Sequence, residues 1–107
     1  FGTQDVYVNV VGGARVTEPA ADLAVVAAIV SSYRNKPILP GILAVGEVGL
    51  TGEVRRVGFV DRRIKEAQNL GFQKFVIPAG NWTSKSVPAG IIQVNTVEEA
   101  LAAFFEK

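Results

Sequence analysis

Apolar residues along this chain recur with two periods, and the changes of period mark out its elements. From Asp5 to Val11 they alternate. Val6, Val8 and Val10 share one face and Asp5, Tyr7 and Asn9 the other, which predicts a strand with one buried side. Gly12-Gly13 ends it, and from Pro19 to Arg34 the period becomes helical. Leu23, Val26, Ala27, Val30 and Arg34 form one stripe, while Val25, Ala28 and Ile29 make the opposite face apolar too. Thr17 is an N-cap type, Pro19 suits a first turn, and Asp22 lies where the helix dipole favours a carboxylate. A helix apolar all round is expected to be buried all round, either as the covered centre of the domain or shared with a second subunit.

Asn35-Lys36-Pro37 stops this helix, because the residue before a proline leaves the α region. Pro40-Gly41 turns the chain into Ile42-Leu43-Ala44-Val45, a run that predicts a buried strand. Gly46, Gly49 and Gly52 punctuate the next stretch, and Glu53 to Val57 is expected to pair with the preceding strand as a hairpin. Asp61 is expected to N-cap a helix reaching about Leu70, with Gly71 as its left-handed terminator. Its inward stripe is Ile64, Ala67 and Leu70 or Gly71. Lys74 to Ile77 predicts a strand closed by Pro78, residues 79–90 a long loop, and Ile91 to Val94 another strand. Thr96-Val97-Glu98-Glu99 is a capping box before a last helix carrying Val97, Ala100, Leu101, Phe104 and Phe105. Strands and helices mix without strict alternation, so the expected fold class is α+β, a two-layer sheet-and-helix domain.

Composition narrows the chemistry. The 107 residues suffice for one domain with a modest core, and 49% apolar with 20% charged residues describes a globular chain. With neither Cys nor His, disulfides, thiolate or imidazole metal sites, a cysteine nucleophile and a histidine base are excluded. The absence of Cys fits a reducing cytoplasm. No run is long enough to cross a bilayer or ordered like a signal peptide, so no membrane partner is expected. A net charge of +1 is uninformative, so only the distribution of charge bears on nucleic acid.

Four kinds of residue are candidates for chemistry. Ser31 and Ser32 fall in the last turns of a helix, where hydroxyls commonly bond back to an earlier carbonyl, and Ser84 and Ser86 fall in a polar loop. The carboxylates Glu18 and Asp22 stand four apart on a first turn, and Glu47 and Glu53 flank the glycine-rich hairpin. A residual hydrolase using Glu18, Asp22 or Asp61 is the enzymatic alternative, and acid–base work would require burial to raise a carboxylate pKa. Gly46-x-x-Gly49-x-x-Gly52 lacks the Gly-Lys-Ser/Thr ending of a P-loop and reads as turn geometry, so no nucleotide or other cofactor is expected. Arg55, Arg56, Arg62, Arg63 and Lys65 concentrate positive charge, suited to phosphates without reading bases. Arg55 and Arg56 point to opposite faces of a strand, so at most one joins that patch. Lys74 and Lys85 with Trp82 form a weaker set.

The run GGARVTEPAADLAV from Gly12 and the run GEVGLTGEVRRV from Gly46 carry a resemblance covering Asp5 to about Phe104. The chain resembles the C-terminal Lon-protease-like domains of the RadA (Sms) family of bacterial DNA-repair and recombination ATPases. In Lon proteases the first stretch reads Gly-Pro-Ser-Ala-Gly around the nucleophilic serine. The matching residues here are Glu18-Pro19-Ala20-Ala21-Asp22, which puts Ala20 in the serine's place. The lysine partner falls on Asp61 by the Val57-Gly58-Phe59-Val60 alignment, so the resemblance implies a degenerate dyad and no peptidase. It also implies a homo-oligomeric ring with a hexamer as its candidate size, DNA contact independent of sequence, and ATPase activity in a separate domain. The chain opens on Phe1-Gly2 rather than Met, so residues 1–107 are expected to be one domain of a longer protein, short of that domain's N-terminal strands.

Overall fold

The computed structural model describes residues 19–105. The expected strand from Asp5 to Val11, the Thr17 cap and Glu18 lie outside the described residues. A 3-10 turn, Pro19–Ala21, leads into α1, Asp22–Arg34. There follow β1, Ile42–Ala44, then β2, Glu47–Val48, and β3, Val54–Arg55, then α2, Val60–Asn69. The chain continues through β4, Lys74–Pro78, and β5, Ile91–Val94, to α3, Val97–Phe105.

The central sheet is parallel, in the order β1-β4-β5, with Leu43 opposite Phe75 and Phe75 opposite Ile91. Ile42–Ala44 and the Phe75-Val76-Ile77 run of β4 are continuously apolar because both faces are covered there. On one face Ile42, Ala44, Val76 and Val94 pack with Leu23 and Ala27 of α1 and Ala100, Phe104 and Phe105 of α3. On the other, Leu43, Val45, Phe75 and Ile77 pack with Val60, Ile64 and Ala67 of α2. The mixture of helices, parallel sheet and antiparallel hairpin is the α+β domain expected, with a third layer added to the two expected because α2 covers the second face.

Three local expectations are corrected. The run Ile42–Val45 is not the hairpin partner of residues 53–57. Its ladder runs to β4, extended by the Val45 N–H on the Val76 carbonyl (3.1 Å), whereas the hairpin joins β2 to β3. Every residue of β1 is buried between the helices that cover the central sheet, whereas β2 is only half-buried. Asp61 is not an N-cap. Phe59 precedes α2 in the left-handed conformation (φ 59°) and no side chain caps the helix, leaving Asp61 exposed in the first turn. Nor is α1 buried all round. Leu23, Ala24, Ala27, Ala28 and Ser31 are buried, but Ile29 is 49% and Tyr33 90% exposed. The sheet takes Leu23 and Ala27, and Ala24 and Ala28 pack with Val25, which leaves a third side of the helix uncovered among the described residues.

The helix ends follow local chemistry. Asn35 adopts φ 52° and donates to Ser32, while Lys36 donates to Ser31. The buried Ser31 hydroxyl donates forward to the Lys36 carbonyl (2.6 Å), which lies past the last helical turn. At the end of α2, Gly71 (φ 99°) donates to Gln68 and Phe72 to Ala67, the paired bonds of a Schellman cap. Thr96 and Glu99 form the expected capping box before α3, each side chain accepting the other's amide N–H at 3.2 Å.

Candidate nucleic-acid interface

The site grows from the passage between β3 and α2. Among the described residues no strand pairs with Val57, yet its backbone N–H and carbonyl are both bonded. The Asn81 side chain accepts the Val57 N–H (2.9 Å) and donates to the Val57 carbonyl (2.8 Å), standing in for a strand edge. Asn81 belongs to the 3-10 turn Ala79–Asn81 after β4, so this clamp ties residue 57 to the far end of the central strand. Beside it Gly80 leaves room for Arg56, since a Cβ there would stand 2.9 Å from the Arg56 Cγ.

This clamp organises part of the basic set. Arg63 donates from Nε to the Gly58 carbonyl (2.9 Å), and the Arg62 guanidinium lies 5.3 Å from the centroid of the Phe59 ring. Phe59, Val60, Asp61, Arg62 and Asn81 line one shallow depression. Arg56, Arg62 and Arg63 thus gather on residues 57–59 and 80–81, while Lys65 is exposed on the same helix as Arg62 and Arg63.

Arg55 goes elsewhere. It faces the hairpin and donates from Nε (3.0 Å) and Nη2 (2.8 Å) to one oxygen of Glu53, and the Thr51 hydroxyl and Thr51 N–H bond the other oxygen. Gly49 makes this possible, because a Cβ at that position would lie 2.0 Å from the Glu53 Oε2. The bond from the Thr51 hydroxyl, then that from Arg55, lowers the Glu53 pKa from 4.5 to about 2. A depressed acid supports folding above its unfolded pKa and loses that support as pH falls through the folded one. Stability of the chain should therefore fall more steeply between about pH 4.5 and 2 than that of Glu53→Gln. The check is an NMR titration of the Glu53 carboxyl, in which a midpoint near 4.5 would show the bonds absent in solution.

The other candidates occupy structural positions. The Asp22 carboxylate accepts the Val48 N–H (3.1 Å), joining α1 to the hairpin. Ala20 is buried in the 3-10 turn, and its carbonyl accepts the Gly46 N–H (2.9 Å). Trp82 packs on the α2 face of the core and donates to the Ser86 carbonyl (3.1 Å), and Ser84 accepts the Ser86 N–H. Among the described residues no cluster of three or more acidic side chains is placed to hold a metal ion, and no helix is long and apolar enough to cross a membrane. Two members of the site give little or no sign of themselves in the sequence. Phe59 is legible there only as an aromatic beside a glycine, and Asn81 gives no signal, because its role depends on a neighbour brought in by the fold.

Comparison with known proteins agrees with this architecture. The family profile of the Lon protease (S16) C-terminal proteolytic domain matches residues 1–103. The DNA repair protein RadA of Pseudomonas aeruginosa is 50% identical over 105 residues, covering 96% of this chain and 23% of that protein. The DNA repair protein RadA of Bacillus subtilis is 51% identical over 100 residues, covering 92% of this chain and 22% of that protein. The chain spans less than a quarter of the length of these relatives. On the strength of a match across almost its whole length, the chain belongs to the Lon protease (S16) C-terminal proteolytic domain family.

Proposed function

We propose that the chain is a non-proteolytic Lon-type module of a cytoplasmic, RadA-like DNA-repair protein, serving as an assembly scaffold and a sequence-independent contact for DNA. The observation that carries it is the gathering of Arg56, Arg62 and Arg63 on the clamped passage before α2. Guanidinium groups so placed suit phosphates and read no base. A Ser-Lys dyad needs a hydroxyl and an amine, and the two corresponding positions hold Ala20 and Asp61. The uncovered Ile29 and Tyr33 of α1 favour a contact between copies in a homo-oligomeric ring. Any ATPase activity of the whole protein would reside outside these residues, which contain no P-loop sequence.

The test is fluorescence anisotropy of the chain with unrelated duplexes across a salt series. Each phosphate contact contributes about 0.9 to the slope of log K against log salt. Arg56→Ala with Arg62→Ala should therefore flatten that slope by about 1.8. Arg55→Ala should do less, since Glu53 holds its guanidinium, and so should Lys74→Ala with Lys85→Ala. An unchanged slope in the first double variant, or strong dependence on duplex sequence, would overturn the DNA-contact reading. Light scattering on the same samples reads the scaffold part, which requires a mass above that of one chain.

A further inference from the structure

Phe59 is placed at a conformational cost and, among the described residues, outside the sheet cores. It sits at φ 59°, a conformation in which bulky side chains are rare, and it is 72% exposed. Glycine or asparagine would make the same turn without crowding, and the phenyl ring is no part of either sheet core. Strained residues held by their surroundings concentrate where ligands are gripped. Here the holding is visible, with Val57 clamped by Asn81, the Gly58 carbonyl bound by Arg63, and the ring met by Arg62 at 5.3 Å.

The lining of the depression indicates which group belongs there. Asp61 stands in it with Phe59, Arg62 and Asn81, and a carboxylate disfavours a phosphate at the same spot. A flat, neutral group with an amino edge suits both the ring and the carboxylate. A nucleobase has that form, since every base offers a π-face to an aromatic ring, and adenine, cytosine and guanine also carry an exocyclic amine that can donate to a carboxylate. The charge for the flanking phosphates lies alongside, on Arg56 and Arg62. We propose that Phe59 is a stacking platform for one unpaired nucleobase, so that this surface prefers single-stranded DNA to duplex. In a duplex each base is already stacked on its neighbours and its face is closed to Phe59. The inference rests on the DNA-contact reading above and adds to it a strand preference and a residue.

The experiment compares the chain with its Phe59→Gly, Phe59→Trp and Arg56→Ala/Lys65→Ala variants. The probes are a single-stranded oligodeoxynucleotide containing 2-aminopurine and a duplex of the same length. Phe59→Gly removes the strained side chain, so it should fold at least as well as the parent. It should weaken single-strand binding about 5- to 150-fold, the range for losing one base–aromatic stack. It should also abolish the quenching of 2-aminopurine and weaken duplex binding by a clearly smaller factor than single-strand binding. Phe59→Trp should retain both affinity and quenching, and the basic variant should weaken single strand and duplex together. If Phe59→Gly leaves single-strand binding intact while the basic variant weakens both, the stacking platform is overturned and the basic contact stands. Equal loss on both probes from Phe59→Gly also overturns the strand preference. If the parent chain binds neither probe, both readings fail.

Discussion

Phe104→Ala is expected to cost about 3–5 kcal/mol, the usual range for deleting a buried aromatic side chain. The ring is fully buried on the α1 side of the sheet, in one cluster with Leu23, Ala27, Ile42, Ala44, Val76 and Val94. Its own carbonyl accepts the Leu39 N–H (2.9 Å), so the same residue docks the segment entering β1. A helix as short as Val97–Phe105 is marginal alone, which means that packing holds α3 in place. Against a total stability of about 5–15 kcal/mol, such a loss removes a large share of the margin that keeps the chain folded. Phe104→Leu keeps most of the volume and should cost about 1.5 kcal/mol or less. Urea unfolding followed by circular dichroism measures both. A cost below about 1 kcal/mol for the alanine variant would mean that α3 does not close the core in solution.

The second large effect belongs to Gly90. It lies just before β5 at φ 93°, and its carbonyl accepts the Phe75 N–H (2.8 Å) that starts the pairing of β4 with β5. A Cβ there would stand 2.5 Å from the backbone carbonyl oxygen of Gln73, which cannot swing aside as a side chain would. Gly90→Ala therefore combines a left-handed alanine, at about 1–2 kcal/mol, with a backbone clash, for a total of about 3 kcal/mol. Gly71 supplies the control. Its φ is similar at 99°, but nothing lies within 4 Å of a Cβ built there, so Gly71→Ala should cost the conformational part alone. If the two variants unfold at the same urea concentration, the close approach of residue 90 to Gln73 is not present in solution.

These two positions also separate what is readable in the chain from what is not. Features that depend on neighbours three to five residues away are legible in the sequence. The Thr96–Glu99 box and the Gly71 terminator form as expected, because a side chain or a left-handed residue meets its partner within a single turn. The apolar runs at residues 42–45, 74–78 and 91–94 are legible as strands for the same reason. Their order is not. Parallel pairing of β1 with β4 joins segments far apart in sequence, and no local pattern distinguishes it from a hairpin with the next strand.

The candidate site divides in the same way. The density of arginine between residues 55 and 63 is a property of the chain alone, and so are the alanine at position 20 and the aspartate at position 61. Which arginines act together is decided in three dimensions. Glu53 draws Arg55 into the hairpin, while Asn81, arriving from beyond β4, clamps Val57 and sets Arg56 and Phe59 beside the start of α2. Asp61 fits an N-cap by residue type, but the left-handed Phe59 starts the helix at Val60 and moves it into the first turn. Sequence alone determined most of the helices and strands and the placing of charge along the chain, because these depend on residue identity and short-range geometry. Tertiary structure decided the pairing, the clamp and the exposed ring, because each needs a partner whose distance in sequence hides it until the chain folds.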